Sequence, residues 1–199
     1  VVREYDMISA RRLFVGISLP QEYARIAARL QQSLQSLGCS GIGWVPPPQV
    51  HVTLCFLGQI EDVRLKALID SLAGIRSKPY QLCAGGGGFF PRNPPFRVIW
   101  AGCTTGSQET GKLAATIGDR MVRSGYITAA PAFTPHLTLG RIRKSGSAPW
   151  ELVRRAIDKQ KWPQFIVDDF TLWESALGPE KAVHHVLETF SLADSRGCL

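Results

Sequence analysis

A chain of 199 residues with 45% apolar and 20% charged side chains can build a packed core, which excludes a disordered or low-complexity polypeptide. No apolar run approaches the roughly 20 residues that span a bilayer. The stretch from Val1 to Arg12 carries charges rather than an apolar segment, so a cytoplasmic protein without a signal peptide is expected. The net charge of +7 favours a polyanionic partner such as nucleic acid.

In chain order, Arg12-Leu13-Phe14-Val15-Gly16 reads as an apolar strand. From about Gln21 to Leu37, apolar residues at Ala24, Ala27, Ala28, Leu30, Leu34 and Leu37 predict a helix. Gly41 to Pro48 reads as a loop, held extended by Pro46-Pro47-Pro48, that leads into a strand opening His51-Val52-Thr53-Leu54. Val63, Leu65, Leu68, Ile69 and Leu72 predict a second helix, and Tyr80 to Cys83 a further strand. Gly85 to Gly88 and Pro91 to Pro95 form the most punctuated region. Without flanking Lys, Ser or Thr, the glycines read as a bulged strand or loop rather than an anion cradle.

The order then repeats. One ungapped offset of 85 residues lays Arg12–Gly16 on Arg97–Ala101, and the first helix on a stretch from about Gln108 to Ser124. The same offset lays His51-Val52-Thr53-Leu54 on His136-Leu137-Thr138-Leu139, and the second helix on Trp150 to Ile157. Tyr80–Cys83 falls on Phe165–Asp168. With a closing strand from about Ala182 to Ser191, these elements predict an α+β single domain of two duplicated, pseudo-symmetric β-α-β-α-β lobes. The lobes run from about 11 to 95 and 96 to 180, with antiparallel sheets around a central cleft. Equivalent positions meet at such an interface, where concave sites commonly lie. His51 and His136 are equivalent positions.

Side chains in a strand alternate between faces, so each His shares a face with the Thr two residues on, while Val52, Leu54, Leu137 and Leu139 share the other. An imidazole near neutrality can accept or donate a proton, so two of them can deprotonate a water and protonate a leaving oxygen. Threonine hydroxyls beside them can hold the nonbridging oxygens of a phosphodiester. One His-x-Thr is a weak signal; two at equivalent places of a duplicated unit are a strong one. His184-His185 lacks the pattern and reads as structural or surface-exposed. Arg141, Arg143 and Lys144 form a small basic cluster just after the second copy.

At these residues the sequence resembles the 2H phosphoesterase superfamily, and within it the bacterial and archaeal RNA 2′,3′-cyclic phosphodiesterases, also labelled 2′-5′ RNA ligases. The resemblance extends through Arg12-Leu13-Phe14-Val15, Trp44-Val45-Pro46-Pro47 and Phe56-Leu57-Gly58. It continues through Phe133-Thr134-Pro135-His136-Leu137-Thr138-Leu139-Gly140-Arg141 and Leu172 to Gly178, covering about Arg12 to Leu192. It implies a cofactor-free and metal-free enzyme that opens terminal 2′,3′-cyclic phosphates on RNA to 2′-phosphomonoesters, with reversible 2′-5′ ligation as a secondary reaction. By motif order it implies His51 as proton donor, His136 as proton acceptor, and Thr53, Thr138 and Arg141 as substrate-binding residues. Strand parity turns Arg141 away from His136, so that role requires a bulge or strand end. Phe56, the equivalent of Arg141, reads as core rather than as a base-stacking platform. The implied partner is an RNA with a cyclic phosphate end, tRNA fragments among the candidates, bound by a monomer with no membrane and no obligate protein partner.

Three other readings compete. A non-catalytic RNA-end or nucleotide-binding module could use the same cleft, but binding alone does not need paired proton-transfer groups. A phosphate-binding loop is suggested by Gly106-Ser107-Gln108-Glu109-Thr110-Gly111-Lys112-Leu113, yet Leu113 lacks the hydroxyl that would hold Mg²⁺, and a helix starting near Ser107, capped by that serine, leaves no room for the loop. A metallohydrolase would need Asp, Glu or Cys ligands at recognisable spacing. The five cysteines, Cys39, Cys55, Cys83, Cys103 and Cys198, are odd in number and never form a C-x-x-C pair, so buried reduced thiols are expected rather than disulfides or a zinc site.

Overall fold

Apolar spacing at three and four residues forms two amphipathic helices in the computed structural model, which describes residues 9–130, 132–143, 148–178 and 182–192. Lys144 and Cys198 lie outside these described residues. Helix α1 (Gln21–Ser36) buries Tyr23, Ile26, Ala27, Leu30, Gln31 and Leu34; α3 (Ser107–Arg123) buries Thr110, Leu113, Ala114, Ile117, Gly118 and Met121. Two shorter helices follow the His-Thr strands, α2 (Asp62–Ala73) and α4 (Trp150–Lys159).

Nine strands are present among the described residues: β1 (Ala10–Ile17), β2 (Ile42–Trp44), β3 (Val52–Glu61), β4 (Tyr80–Phe90), β5 (Val98–Thr105), β6 (His136–Ile142), β7 (Phe165–Val167), β8 (Asp169–Leu177) and β9 (Ala182–Ser191). They form one sheet in the order β7-β4-β5-β6-β3-β1-β8-β9, with β2 attached to β6. Every pairing is antiparallel. The architecture is α+β, as expected.

The 85-residue offset is written into the strand registers. Val52 pairs with Leu137 across β3 and β6, and Gln81 pairs with Ile166 across β4 and β7. In each case a residue meets its own equivalent, so a local two-fold axis passes through both pairs. The expected contiguous lobes, 11–95 and 96–180, are nevertheless interleaved in space. Strand β4 leaves the first half to pair with β5 and β7, while β8 returns to pair with β1. Tyr23 on α1 donates its hydroxyl proton to the Pro163 carbonyl (2.7 Å), accepts from the Ala84 amide (3.1 Å), and packs its ring on Trp162 and Phe165. Such exchanged elements bury apolar surface between the halves.

Local differences from the sequence reading have physical causes. The segment read as a loop from Gly41 to Pro48 holds β2, which is long enough only to pair with β6 over three positions. Pro47–Gln49 is a 3₁₀ turn rather than extended chain, with proline at its first positions, where no amide donor is needed. Gly85 to Gly88 lie within β4, whose register slips between Ala84 and Gly87, as a bulged strand does. Gly106, not Ser107, caps α3. Its φ is 74°, and a Cβ there would collide with the Gln81 carbonyl, so glycine is required. Gly111 and Lys112 are consequently inside the helix, and the phosphate-loop reading has no loop to occupy. Cys39 and Cys55 are buried free thiols, and Cys83 and Cys103 are half-buried free thiols.

Candidate active site

Strands β3 and β6 meet at the two-fold axis through Val52 and Leu137, both fully buried. Their neighbours along each strand face the opposite way. Extending the antiparallel register by one position in each direction sets His51 across from Thr138, and Thr53 across from His136. The four residues singled out in the sequence therefore share one patch of the sheet.

Both imidazoles are oriented in the same manner. His51 Nδ1–H donates to the Gln49 carbonyl at 2.7 Å, and His136 Nδ1–H donates to the Thr134 carbonyl at 2.7 Å. Gln49 and Thr134 are themselves 85 positions apart. A carbonyl can only accept, so each ring carries its proton on Nδ1 when neutral and keeps Nε2 as the exchangeable nitrogen. The Thr53 hydroxyl lies 2.9 Å from His51 Nε2 and donates to it when the ring is neutral.

A matching irregularity interrupts each of the two strands. The β1–β3 register skips Leu54, and the β5–β6 register skips its equivalent, Leu139. Each skip places two buried residues in succession, Leu54-Cys55 and Leu139-Gly140, and so reverses strand parity beyond it. Arg141 is thereby turned to the cleft, as its proposed role required. Phe56 is turned the same way. It is 57% exposed and lines the cleft, which corrects the reading of this residue as core. The buried Gln31 amide of α1 supports the second bulge by donating to the Val45 carbonyl (2.8 Å) and the Leu139 carbonyl (3.0 Å).

Aromatic rings enclose each histidine. Phe14 of β1 stacks on His51 with centroids 4.9 Å apart, Trp173 of β8 lies 5.6 Å away, and Phe14 and Trp173 stack on each other. In the other half, Phe90 of β4 and Trp100 of β5 stack together and form T-shaped contacts with His136 at 5.1 and 6.1 Å. Each indole lies over a glycine of the neighbouring strand, Trp173 on Gly16 and Trp100 on Gly88. A Cβ at either would come within 3.0 Å of the ring. His184 of β9, read in the sequence as structural or surface-exposed, packs edge-on against both His51 and Phe14.

Burial lowers the His51 pKa from 6.5 to about 4, against the hydrogen bond to Gln49, with His184, Arg141 and His136 adding repulsion. The His136 pKa is also lowered, by burial first and by Arg141. The cleft has a volume of about 510 Å³. Its ionisable lining comprises Arg12, Arg141, Arg143, His51 and His184, without a carboxylate among its described residues. The Arg143 guanidinium lies across Gly43, where a Cβ would approach Nε to 2.8 Å. Arg12, Phe14 and His184 were missed as cleft residues in the sequence, since apolar alternation marks which positions face inward but not which outer faces converge. Among the described residues, no group of three His, Cys, Asp or Glu side chains could hold a metal ion.

Fold and cleft together define a class: an α+β phosphoesterase built on paired His-x-Thr strands. The family model described as LigT like Phosphoesterase matches residues 17–100. An RNA 2′,3′-cyclic phosphodiesterase of Thermus thermophilus is 32% identical over 204 residues, covering 94% of this chain and 92% of the relative. One from Archaeoglobus fulgidus is 28% identical over 180 residues, covering 90% and 99%. A crystal structure of a Thermus thermophilus protein superposes with a TM-score of 0.74 at 28% identity, covering 91% of this chain and 97% of that one. Escherichia coli LigT in complex with 3′-AMP gives a TM-score of 0.75 at 25% identity, with coverages of 94% and 100%. The chain belongs to the LigT-like 2H phosphoesterase family.

Proposed function

We propose that this protein hydrolyses terminal 2′,3′-cyclic phosphates on RNA to 2′-phosphomonoesters, without a metal ion. The observation that carries the reading is the matched pair of Nδ1–H···O=C bonds, which leaves Nε2 available for proton transfer on His51, in the cleft lining, and on His136, at the edge of that lining beside Thr53. Water attacks phosphorus as His136 Nε2 takes its proton; the P–O3′ bond breaks as His51 Nε2–H gives a proton to O3′. The hydroxide oxygen stays on phosphorus, and the phosphate remains on O2′. Thr53, Thr138 and Arg141 hold the nonbridging oxygens. The relatives' names and the exposed, cleft-facing Phe56 support an RNA end as substrate.

The lowered pKa of His51 bears on its role. Before substrate arrives, His51 is neutral at pH 7, and Thr53 donates to it. A bound phosphodiester brings a negative charge next to the ring and raises its proton affinity. Once protonated, Nε2–H donates to the Thr53 oxygen or to O3′, and the Thr53 proton is released to bond the phosphate. Donor competence is thus acquired with the substrate. The same two histidines serve ligation, in which a 5′-hydroxyl takes the place of water, gives its proton to His136 and forms a 2′-5′ linkage as the P–O3′ bond breaks and O3′ takes a proton from His51; run backwards, the step cleaves that linkage.

The test is incubation with a short RNA ending in 2′,3′-cyclic phosphate, in EDTA, with the product identified by mass and phosphatase sensitivity. A gain of one water with the phosphate on O2′ is expected. Binding without turnover would instead support an RNA-end-binding module.

A further inference from the structure

The duplicated design gives the two histidines nearly equal surroundings, and β9 breaks the equality. It pairs only with β8 at one end of the sheet, and the 85-residue repeat supplies no counterpart to it. His184 on this strand reaches back over β8 and β1 to the cleft. Its ring meets His51 edge-on at 5.2 Å, with 77° between planes, and meets Phe14 edge-on at 4.9 Å. His51 is therefore enclosed by the face of Phe14, by Trp173 and by the edge of His184. Among the ring contacts of the described residues, His136 has no stacked partner and meets only Phe90 and Trp100, both T-shaped.

We propose that His184 is a positioning residue for His51, its ring completing an aromatic enclosure that fixes the plane of one catalytic imidazole, excludes water from it, and so makes the two histidines unequal. The proposal rests on the reading of His51 as a proton-transfer group. It goes beyond that reading by naming the residue that encloses His51 more closely than His136 is enclosed.

The groups facing His51 are few. Strand β6 contributes Arg141 and His136, and β9 contributes His184. Strand β1 places Arg12 on the cleft wall, with Arg143 opposite beside Gly43. Strand β8 offers Trp173, while its Glu174 is paired with Arg11. Burial lowers the His184 pKa, with His185 adding repulsion, so at neutral pH it acts on His51 as a packed ring, and its charge opposes the protonation of His51 only in acid. Shape and water exclusion are what a substitution should remove.

The experiment is an NMR titration of the His51 Cε1–H resonance in the whole protein, which needs no turnover. In His184→Ala the His51 midpoint should rise by about one pH unit, the scale of shift that partial loss of burial produces. In His184→Phe, which keeps the ring and removes only the repulsion of the titrating nitrogens, it should rise less than in the alanine variant. His184→Ser replaces the alanine variant should that one not fold. The acid limb of kcat/KM on the cyclic phosphate should move with the same sign in the alanine variant and move less in the phenylalanine variant. An unmoved midpoint in the alanine variant, or a phenylalanine variant that matches alanine, overturns the proposal. Loss of all cyclic phosphodiesterase activity in the unaltered protein would overturn the functional reading alone and leave the titration decisive for His184.

Discussion

His51 combines two demands that oppose each other. Its ring is packed into aromatic surface, which disfavours the imidazolium, yet the proposed reaction requires that it carry a proton to O3′. Replacing either His51 or His136 by alanine should lower turnover by at least about 10². Single-turnover hydrolysis of the cyclic phosphate measures this, and near-normal rates in either variant would reject the paired mechanism. The buried ring also has a thermodynamic signature. The unfolded chain protonates His51 near pH 6.5, whereas the folded chain does so only near pH 4. Between those values the unfolded state binds more protons, so stability that is present above pH 6.5 is lost as pH falls towards 4. The loss is on the order of 3 kcal/mol by the pKa difference, or roughly 10 °C in melting temperature for a chain of this size. His51→Gln keeps a donor for the Gln49 carbonyl and removes the titration. Its melting temperature should fall less steeply from pH 6.5 to 4, and a slope equal to that of the unaltered protein would count against a buried neutral His51.

At the scale of elements, the decisive features are the bulges at Leu54 and Leu139. The second one leaves the Leu139 carbonyl to be shared by the Val45 amide (3.0 Å) and Gln31 Nε2, and Gln31 also satisfies the Val45 carbonyl. Gln31→Leu retains helix propensity and volume but strips the part-buried Val45 carbonyl of its Gln31 donor and leaves the buried Leu139 carbonyl with the Val45 amide alone. It should cost about 1–3 kcal/mol and weaken substrate binding, because the Arg141 side of the cleft loses its support. Thermal denaturation and KM together check this; an unchanged melting point would mean that the bulge does not depend on the amide. The His-Thr face was legible in the sequence because alternation holds from His51 to Leu54 and from His136 to Leu139. Beyond those points it fails, and the failure has a written signal: two inward residues in a row, Leu54-Cys55 and Leu139-Gly140. Without that signal Phe56 reads as core. Helices α1 to α4 were readable within a residue or two, since each carries a regular apolar stripe. Three-residue β2 was not, because Ile42-Gly43-Trp44 is too short to show a period and is held by its partner β6.

Across the whole molecule, duplication explains why so much of the site was legible. One offset equates His51 with His136, Gln49 with Thr134 and Leu54 with Leu139, and the strand registers obey it at Val52–Leu137 and Gln81–Ile166. What the repeat could not supply is the departure from symmetry: the exchange of β4 and β8 between halves, the addition of β9, and the cationic wall. That wall carries the last prediction. In the proposed reaction a single phosphate would engage the Arg141 end of the cleft, whereas Arg12 and Arg143 add two further cations with no carboxylate beside them among the described lining residues. Such an excess suits the neighbouring phosphates of an oligonucleotide better than a lone cyclic nucleotide. For single-stranded nucleic acid, each neutralised phosphate contributes about −0.7 to the slope of log affinity against log salt concentration. Binding of a short RNA ending in 2′-phosphate, followed by fluorescence anisotropy across a potassium chloride series, should therefore show a steep slope that Arg143→Ala and Arg12→Ala each reduce by about 0.7. The same substitutions should leave the salt dependence of a 2′-phosphomononucleotide nearly unchanged. Equal effects on both ligands would place these arginines at the reacting phosphate and remove the case for an extended RNA track.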